Sequence, residues 1–227
     1  MKRHGLLTAA SLSLSLSLSL ALLGATLATA KPPASAPEAA VRADFQALKK
    51  AMLGGDGPAT AALASPNSIA VYEKCRNLAL ASPKTALEAL SQVEILIVLQ
   101  VRKDLSAKRL AAMNGADLLA WGVTAGLISK DSVTACEIDT LEFSGKVAVA
   151  SMLVRGEVVP DLAFRFVREG TRWTMDFEGL MKLAEPALAQ NRDKAGQSKV
   201  DFAMSLLEQQ AGKPLPRGLL DGPLTAK

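Results

Sequence analysis

The spacing of apolar and polar positions changes once along this chain, and the change separates two kinds of structure. In the first half the spacing is helical. Val41, Phe45, Leu48 and Met52 recur every three or four residues. Ser35-Ala36-Pro37-Glu38 ahead of them matches a capping box, and Gly54-Gly55 is a stop signal. The stretch "DGPATAALASP" leads into a second helical region, with Ser65 as N-cap and Pro66 at the first helical position. Val71, Cys75 and Leu78 form its stripe, with Ile69 and Tyr72 beside it. Ser82-Pro83 repeats the start signal. Ser91-Gln92-Val93-Glu94 is another capping box, set before "ILIVLQV". The β-branched residues of that run suit a buried strand, but the cap and the following "RKDL" predict a buried helix. Ser106 caps a short helix to Met113, and "ADLLAWGVTAGL" predicts one more, ended near Gly126.

From Ser132 the period is two. "TACEIDTLEF", "VAVASMLV", "VVPDLAFRFV" and "TRWTMDF" alternate, separated by "SGK", "RGE" and "EG". Four strands joined by tight turns form an antiparallel meander. Pro160, near the start of the third, predicts an edge or a bulge. After Phe177 the spacing is helical again through "GLMKLAEPALAQ", where Pro186 predicts a kink or a split. Ser198 starts a last helix carrying Val200, Met204 and Leu207, stopped by Gly212 and Pro214. The tail, 212–227, reads as irregular, with Leu219 and Leu220 tucked onto the body. The fold class expected is α+β: N-terminal helices packed on a curved four-stranded antiparallel meander, with extra C-terminal helices.

The last hairpin, "FRFVREGTRWTMDF", is the most detailed part of the pattern. With Glu169-Gly170 as a two-residue loop, Phe166 is expected opposite Trp173, Phe164 opposite Met175 and Leu162 opposite Phe177. All six then share one face. Arg165, Val167, Arg172, Thr174 and Asp176 fall on the other. The aromatic face is expected to be core and the charged face solvated.

The N-terminus changes the picture of compartment. Lys2 and Arg3 precede an apolar stretch from Leu6 to about Leu23, and Ala28-Thr29-Ala30 sets small residues before a cut after Ala30. That is the layout of a secretory signal peptide, residues 1–30. The expected localisation is secreted or periplasmic. Residues 31–37 ("KPPASAP") read as a short linker, 38–211 as a single domain with a C-terminal helical extension, and 212–227 as the tail. Cleavage removes two basic and no acidic residues, so the formal net charge falls from +4 to about +2. A near-neutral chain without a Lys/Arg cluster offers no phosphate track, so no nucleic-acid partner is expected. A cleaved chain carries no transmembrane span.

The only histidine, His4, leaves with the signal peptide. Histidine-based nucleophilic catalysis and histidine-ligated zinc go with it. There is no phosphate-binding loop, dinucleotide fingerprint or calcium loop, and no cofactor is expected. Cys75 and Cys136 are the only cysteines. Export and an even count allow a disulfide between them; two buried thiols acting as small hydrophobes are the alternative.

Helices followed by a meander ending in "FVREG-x-RW-x-MDF", with Gly55-Asp56-Gly57 and Ser65 to Tyr72 ahead of it, resembles the nuclear transport factor 2-like superfamily, and within it uncharacterised secreted bacterial members. The resemblance covers roughly residues 38–180. It implies a cone in which a curved sheet wraps helices around a pocket. Tyr72, Trp121, Phe164, Phe166, Trp173 and Met175 are then candidate pocket lining. The extra helices after Leu180, and the lack of a strand among the first helices, depart from that pattern.

With export and no histidine, the resemblance implies a non-enzymatic domain binding a small apolar ligand or an envelope protein. Two alternatives stand beside it: a structural or assembly domain, and a ketosteroid-isomerase-like isomerase or hydratase. The isomerase needs a carboxylate in an apolar cavity beside the only tyrosine, Tyr72, and Asp139 and Asp176 are its candidates.

Overall fold

The computed structural model describes residues 35–128 and 130–221. The signal-peptide reading, the cut after Ala30 and the first part of the linker lie outside the described residues. Ser35 opens α1 (Ala36–Gly54) by accepting a hydrogen bond from the Glu38 N–H, and the stripe Val41, Phe45, Leu48 and Ala51 is buried. The helix therefore begins inside the segment 31–37 assigned to the linker. Asp56 caps the short α2 (Gly57–Ala61), and Ser65 caps α3 (Pro66–Ala81). Ser82 closes α3, and the next turn, α4 (Lys84–Leu87), starts after Pro83 with no side-chain cap.

The ambiguous run is helical. In α5 (Gln92–Asp104) both halves of the capping box form: Ser91 Oγ accepts from the Glu94 N–H at 3.2 Å, and Glu94 Oε2 accepts from the Ser91 N–H at 3.0 Å. A helix apolar all round must be enclosed, and Ile95, Val98, Leu99 and Val101 are buried. α6 (Ala107–Ala111) and α7 (Gly115–Thr124) follow. Gly115 sets α7 against α3: a Cβ there would lie 2.4 Å from the Ile69 carbonyl oxygen.

The strands begin later than the period predicts, because Lys130–Ala135 is a short helix, α8. Its last carbonyls find a partner on α1. Lys49 Nζ donates to the Thr134 and Cys136 carbonyls at 3.3 and 2.6 Å, the favoured place for a cation at a helix C-terminus. The sheet runs β1 (Cys136–Ser144), β2 (Val147–Val154), β3 (Glu157–Glu169) and β4 (Arg172–Asp176), antiparallel and in chain order. Pro160 stands on a stretch of β3 that β4, paired only with Arg165–Glu169, does not reach. It lies in an irregularity where Ser151 pairs with Ala163 but Leu153 pairs with Val158, leaving extra residues on β3 as a bulge requires. A second irregularity interrupts β1 between Ile138 and Leu141, and Arg42 donates to the Ile138 and Asp139 carbonyls there. The outer edge of β4 is covered: Met175 exchanges backbone hydrogen bonds with Leu63 and Ser65, each 2.8 Å.

The last hairpin has the expected faces and a different register. Phe166 pairs with Met175, Arg168 with Trp173 and Arg165 with Asp176. The loop is Gly170-Thr171, with Gly170 at φ 58. A loop of Glu169-Gly170 would put the positive φ of its first position on a glutamate. A shift of two residues keeps every side chain on its face, so Phe164, Phe166, Trp173, Met175 and Phe177 are all buried. The opposite face is not wholly solvated. Thr174 and Asp176 are buried, because the start of α3 reaches over β4. Asp176 accepts from Asn67, from Arg165 at 3.1 Å and from the Glu178 N–H at 3.0 Å.

Two further helices, α9 (Glu178–Ala195) and α10 (Lys199–Ala211), complete the body. Pro186 does not split α9. The carbonyl it leaves without a donor belongs to Lys182, an exposed residue that water can reach. The described part of the tail, residues 212–221, has structure that its composition does not suggest. A 3₁₀ turn at Arg217–Leu219 lays Leu215 and Leu220 into the core, and Arg102 holds it by donating to the Leu219 carbonyl.

The apolar interior has two centres. One is helical, built from α3, α5, α7, α10 and the tail. The other joins α1 and the start of α3 to the inner face of the sheet. Leu118 belongs to the first and its neighbour Leu119 to the second, and Tyr72 packs against both.

Candidate functional site

Two apolar cavities open in this interior, the first between the two centres and the second within the sheet-side one. The first, about 220 Å³, sits among the helices. Val93, Ile97 and Val101 recur every four residues on α5 and form one wall. Tyr72 of α3, Leu118, Leu119, Trp121 and Gly122 of α7, and Met181 of α9 form the others. Leu127, 39% exposed, stands at its mouth. The polar side-chain tips on this lining are the Tyr72 hydroxyl and the Trp121 ring N–H. Burial, with a smaller contribution from Cys75, pushes the Tyr72 hydroxyl up to about 12. It is a neutral donor throughout the physiological range.

The second cavity, about 150 Å³, lies between α1, α8 and the inner face of the sheet. Phe45, Leu48 and Met52 line it from α1, Phe164, Met175 and Phe177 from the sheet region, and Leu180 from α9. Lys49 and Cys136 stand at one side. Burial raises the Cys136 thiol above its ordinary range. Ile128 lines both cavities, and the adjacent residues Leu180 and Met181 face one each.

The six candidate lining residues therefore divide. Tyr72 and Trp121 line the helical cavity, while Phe164 and Met175 line the cavity at the sheet. Phe166 and Trp173 line neither. Phe166 packs edge-on against Phe45 with ring centres 6.1 Å apart, and Trp173 packs against Phe143 at 5.8 Å. The Phe166 ring is used up in holding α1 on the sheet, and the Trp173 ring in a contact between β4 and β1. Sequence reasoning missed the α5 wall and Lys49. The wall had a signal: a helix apolar all round has a face to spare. Lys49 had none, because its partners lie 85 and 87 residues away.

Cys75 and Cys136 are both free, so the disulfide does not form. Cys75 belongs to the helical centre and Cys136 packs against the other. Burial, chiefly, pushes the Cys75 thiol up to about 12, which makes it an inert packing group. Among the described residues no group of three metal-ligating side chains comes together, and no helix is long and apolar enough to cross a membrane. No family model, curated protein or solved structure matches the chain.

Proposed function

We propose that the protein is an exported, non-enzymatic carrier or sensor domain that binds a small apolar ligand. The observation that carries this reading is the helical cavity, walled by aliphatic and aromatic side chains with two neutral donors. Such a wall favours a lipophilic guest and offers it hydrogen bonds without ionic selection. The N-terminal pattern of residues 1–30 supports export to the periplasm or beyond. A place in the nuclear transport factor 2-like superfamily is part of this proposal, on the sequence resemblance of residues 38–180 alone. The guest cavity of this reading lies among helices rather than within a cone of the sheet.

The isomerase alternative has less support. None of the residues lining the cavity beside Tyr72 carries a carboxylate. Asp176 is on the far face of the sheet, engaged with Arg165 and Asn67.

The test uses the probe N-phenylnaphthylamine and the emission of Trp121. Titration of the protein without residues 1–30 should raise probe fluorescence saturably. It should also change tryptophan emission in the native protein and not in Trp121→Phe. An unsaturable probe response and unchanged emission would remove the support for this reading.

A further inference from the structure

The cavity at the sheet has one charged wall residue, and among the described residues no carboxylate pairs with it. Lys49 is the only charged side chain on that lining. An ammonium group has three donors. Two of them meet the Thr134 and Cys136 carbonyls, which are neutral. Among the described residues no ion pair involves Lys49. The group is also oriented: its carbonyl partners fix it at the junction of α8 and β1, with the Phe45 ring centre 5.8 Å away. One donor and a full positive charge are thus held beside a chamber that is otherwise apolar.

We infer that the ligand is a single-chain amphiphile with an anionic head, of the fatty-carboxylate class. Its carboxylate pairs with Lys49, and its chain lies along the sheet-side chamber toward Ile128. This rests on the carrier reading above and adds the head group to it. Charge complementarity selects the acid over a neutral lipid of the same length. Ile128 is the shared wall with the helical cavity, so a chain long enough to displace that side chain gains the second chamber. The Tyr72 hydroxyl and Trp121 N–H there are left for a polar substituent far from the head.

The experiment compares dodecanoate with dodecan-1-ol, both below their aggregation limits. Binding is followed by competition against N-phenylnaphthylamine and by alkylation of Cys136 with iodoacetamide. Dodecanoate should bind about tenfold more tightly than the alcohol, an advantage that shrinks as salt is raised. Lys49→Gln should bring acid and alcohol to the same affinity, and Lys49→Arg should keep the preference. Dodecanoate should slow alkylation of Cys136, which lies on the same wall. If acid and alcohol bind the native protein equally at low and high salt, the head-group inference is overturned and the carrier reading stands. If neither ligand displaces the probe nor protects Cys136 while the probe still binds saturably, the head-group inference is overturned and the carrier reading stands; if the probe itself does not bind, the carrier reading fails with it. The salt series on native protein decides the matter even if the Lys49 variants do not fold.

Discussion

Arg155 sits in the left-handed region at φ 54, followed by Gly156 at φ 82, in the two-residue loop between β2 and β3. Two positive values in succession define the turn that matches strand twist, and its first position favours asparagine. An arginine there carries steric strain that its side chain does not offset, since it is exposed and only its backbone N–H is engaged, with the Ala135 carbonyl. Arg155→Asn should therefore stabilise the protein by about 0.5–1 kcal/mol. The check is a rise in urea midpoint at unchanged denaturant slope. Other single residues act by reaching across the chain. Arg102 is buried without a carboxylate and donates to the Ala79, Leu78, Ser82 and Leu219 carbonyls. Its charge is met by the C-terminal end of α3, whose dipole is negative there. Replacing it with methionine would strand four carbonyls, and the expected loss is about 3–5 kcal/mol. Thermal unfolding by circular dichroism measures it.

At the scale of elements, α5 depends on a cap that it does not itself encode. Glu185 of α9 accepts from the Gln92 and Val93 N–H groups at 3.0 and 2.9 Å. These are the first two helical residues, with N–H groups that no turn of the helix can satisfy. A carboxylate there also meets the positive end of the helix dipole. Glu185→Ala should cost about 1–2 kcal/mol, and Glu185→Gln, which keeps one of the two acceptor oxygens and no charge, about half of that. Equal losses in the two variants would show that an uncharged acceptor contributes nothing and that the cap depends on the carboxylate. Because Val93 begins the cavity wall, Glu185→Ala should also weaken probe binding. This cap shows where legibility stops. Periods of 3.6 and 2, Ser-x-x-Glu boxes and turn glycines revealed the longer helices, the four strands and the buried aromatic face from local spacing alone, but not α8, whose end reads as strand. The hairpin register was not legible, because two registers two residues apart satisfy the same alternation. Lys49 on α8, Glu185 on α5 and Arg102 on the tail were hidden for another reason. Each is a charged residue on a helix, which reads as solvated until the chain folds a distant carbonyl or N–H against it.

On the scale of the whole molecule, the two apolar centres share α3 and α7, so the cavities cannot be separated from the stability of the body. Tyr72 and Cys75 lie one turn apart on α3, where the centres meet. Burial raises both: the hydroxyl from about 10 and the thiol from about 9, each to about 12. Their neutral forms are favoured in the folded state, and the unfolded chain loses these protons first. Below pH 9 both states hold the protons and the stability is complete. Between pH 9 and 12 the unfolded state binds fewer protons than the folded one, so stability falls as pH rises. The thiol contributes from pH 9 and the hydroxyl from pH 10. Urea unfolding at steps from pH 8 to 11.5 should show a midpoint that is flat at first and then declines with increasing slope. Tyr72→Phe keeps the ring in the cavity wall and removes the titrating group. It should leave the decline between pH 9 and 10 intact and make it less steep above pH 10, where the thiol alone is left. An identical slope in the variant would mean that water reaches the hydroxyl freely, and the helical cavity could not then be the dry chamber that its lining implies.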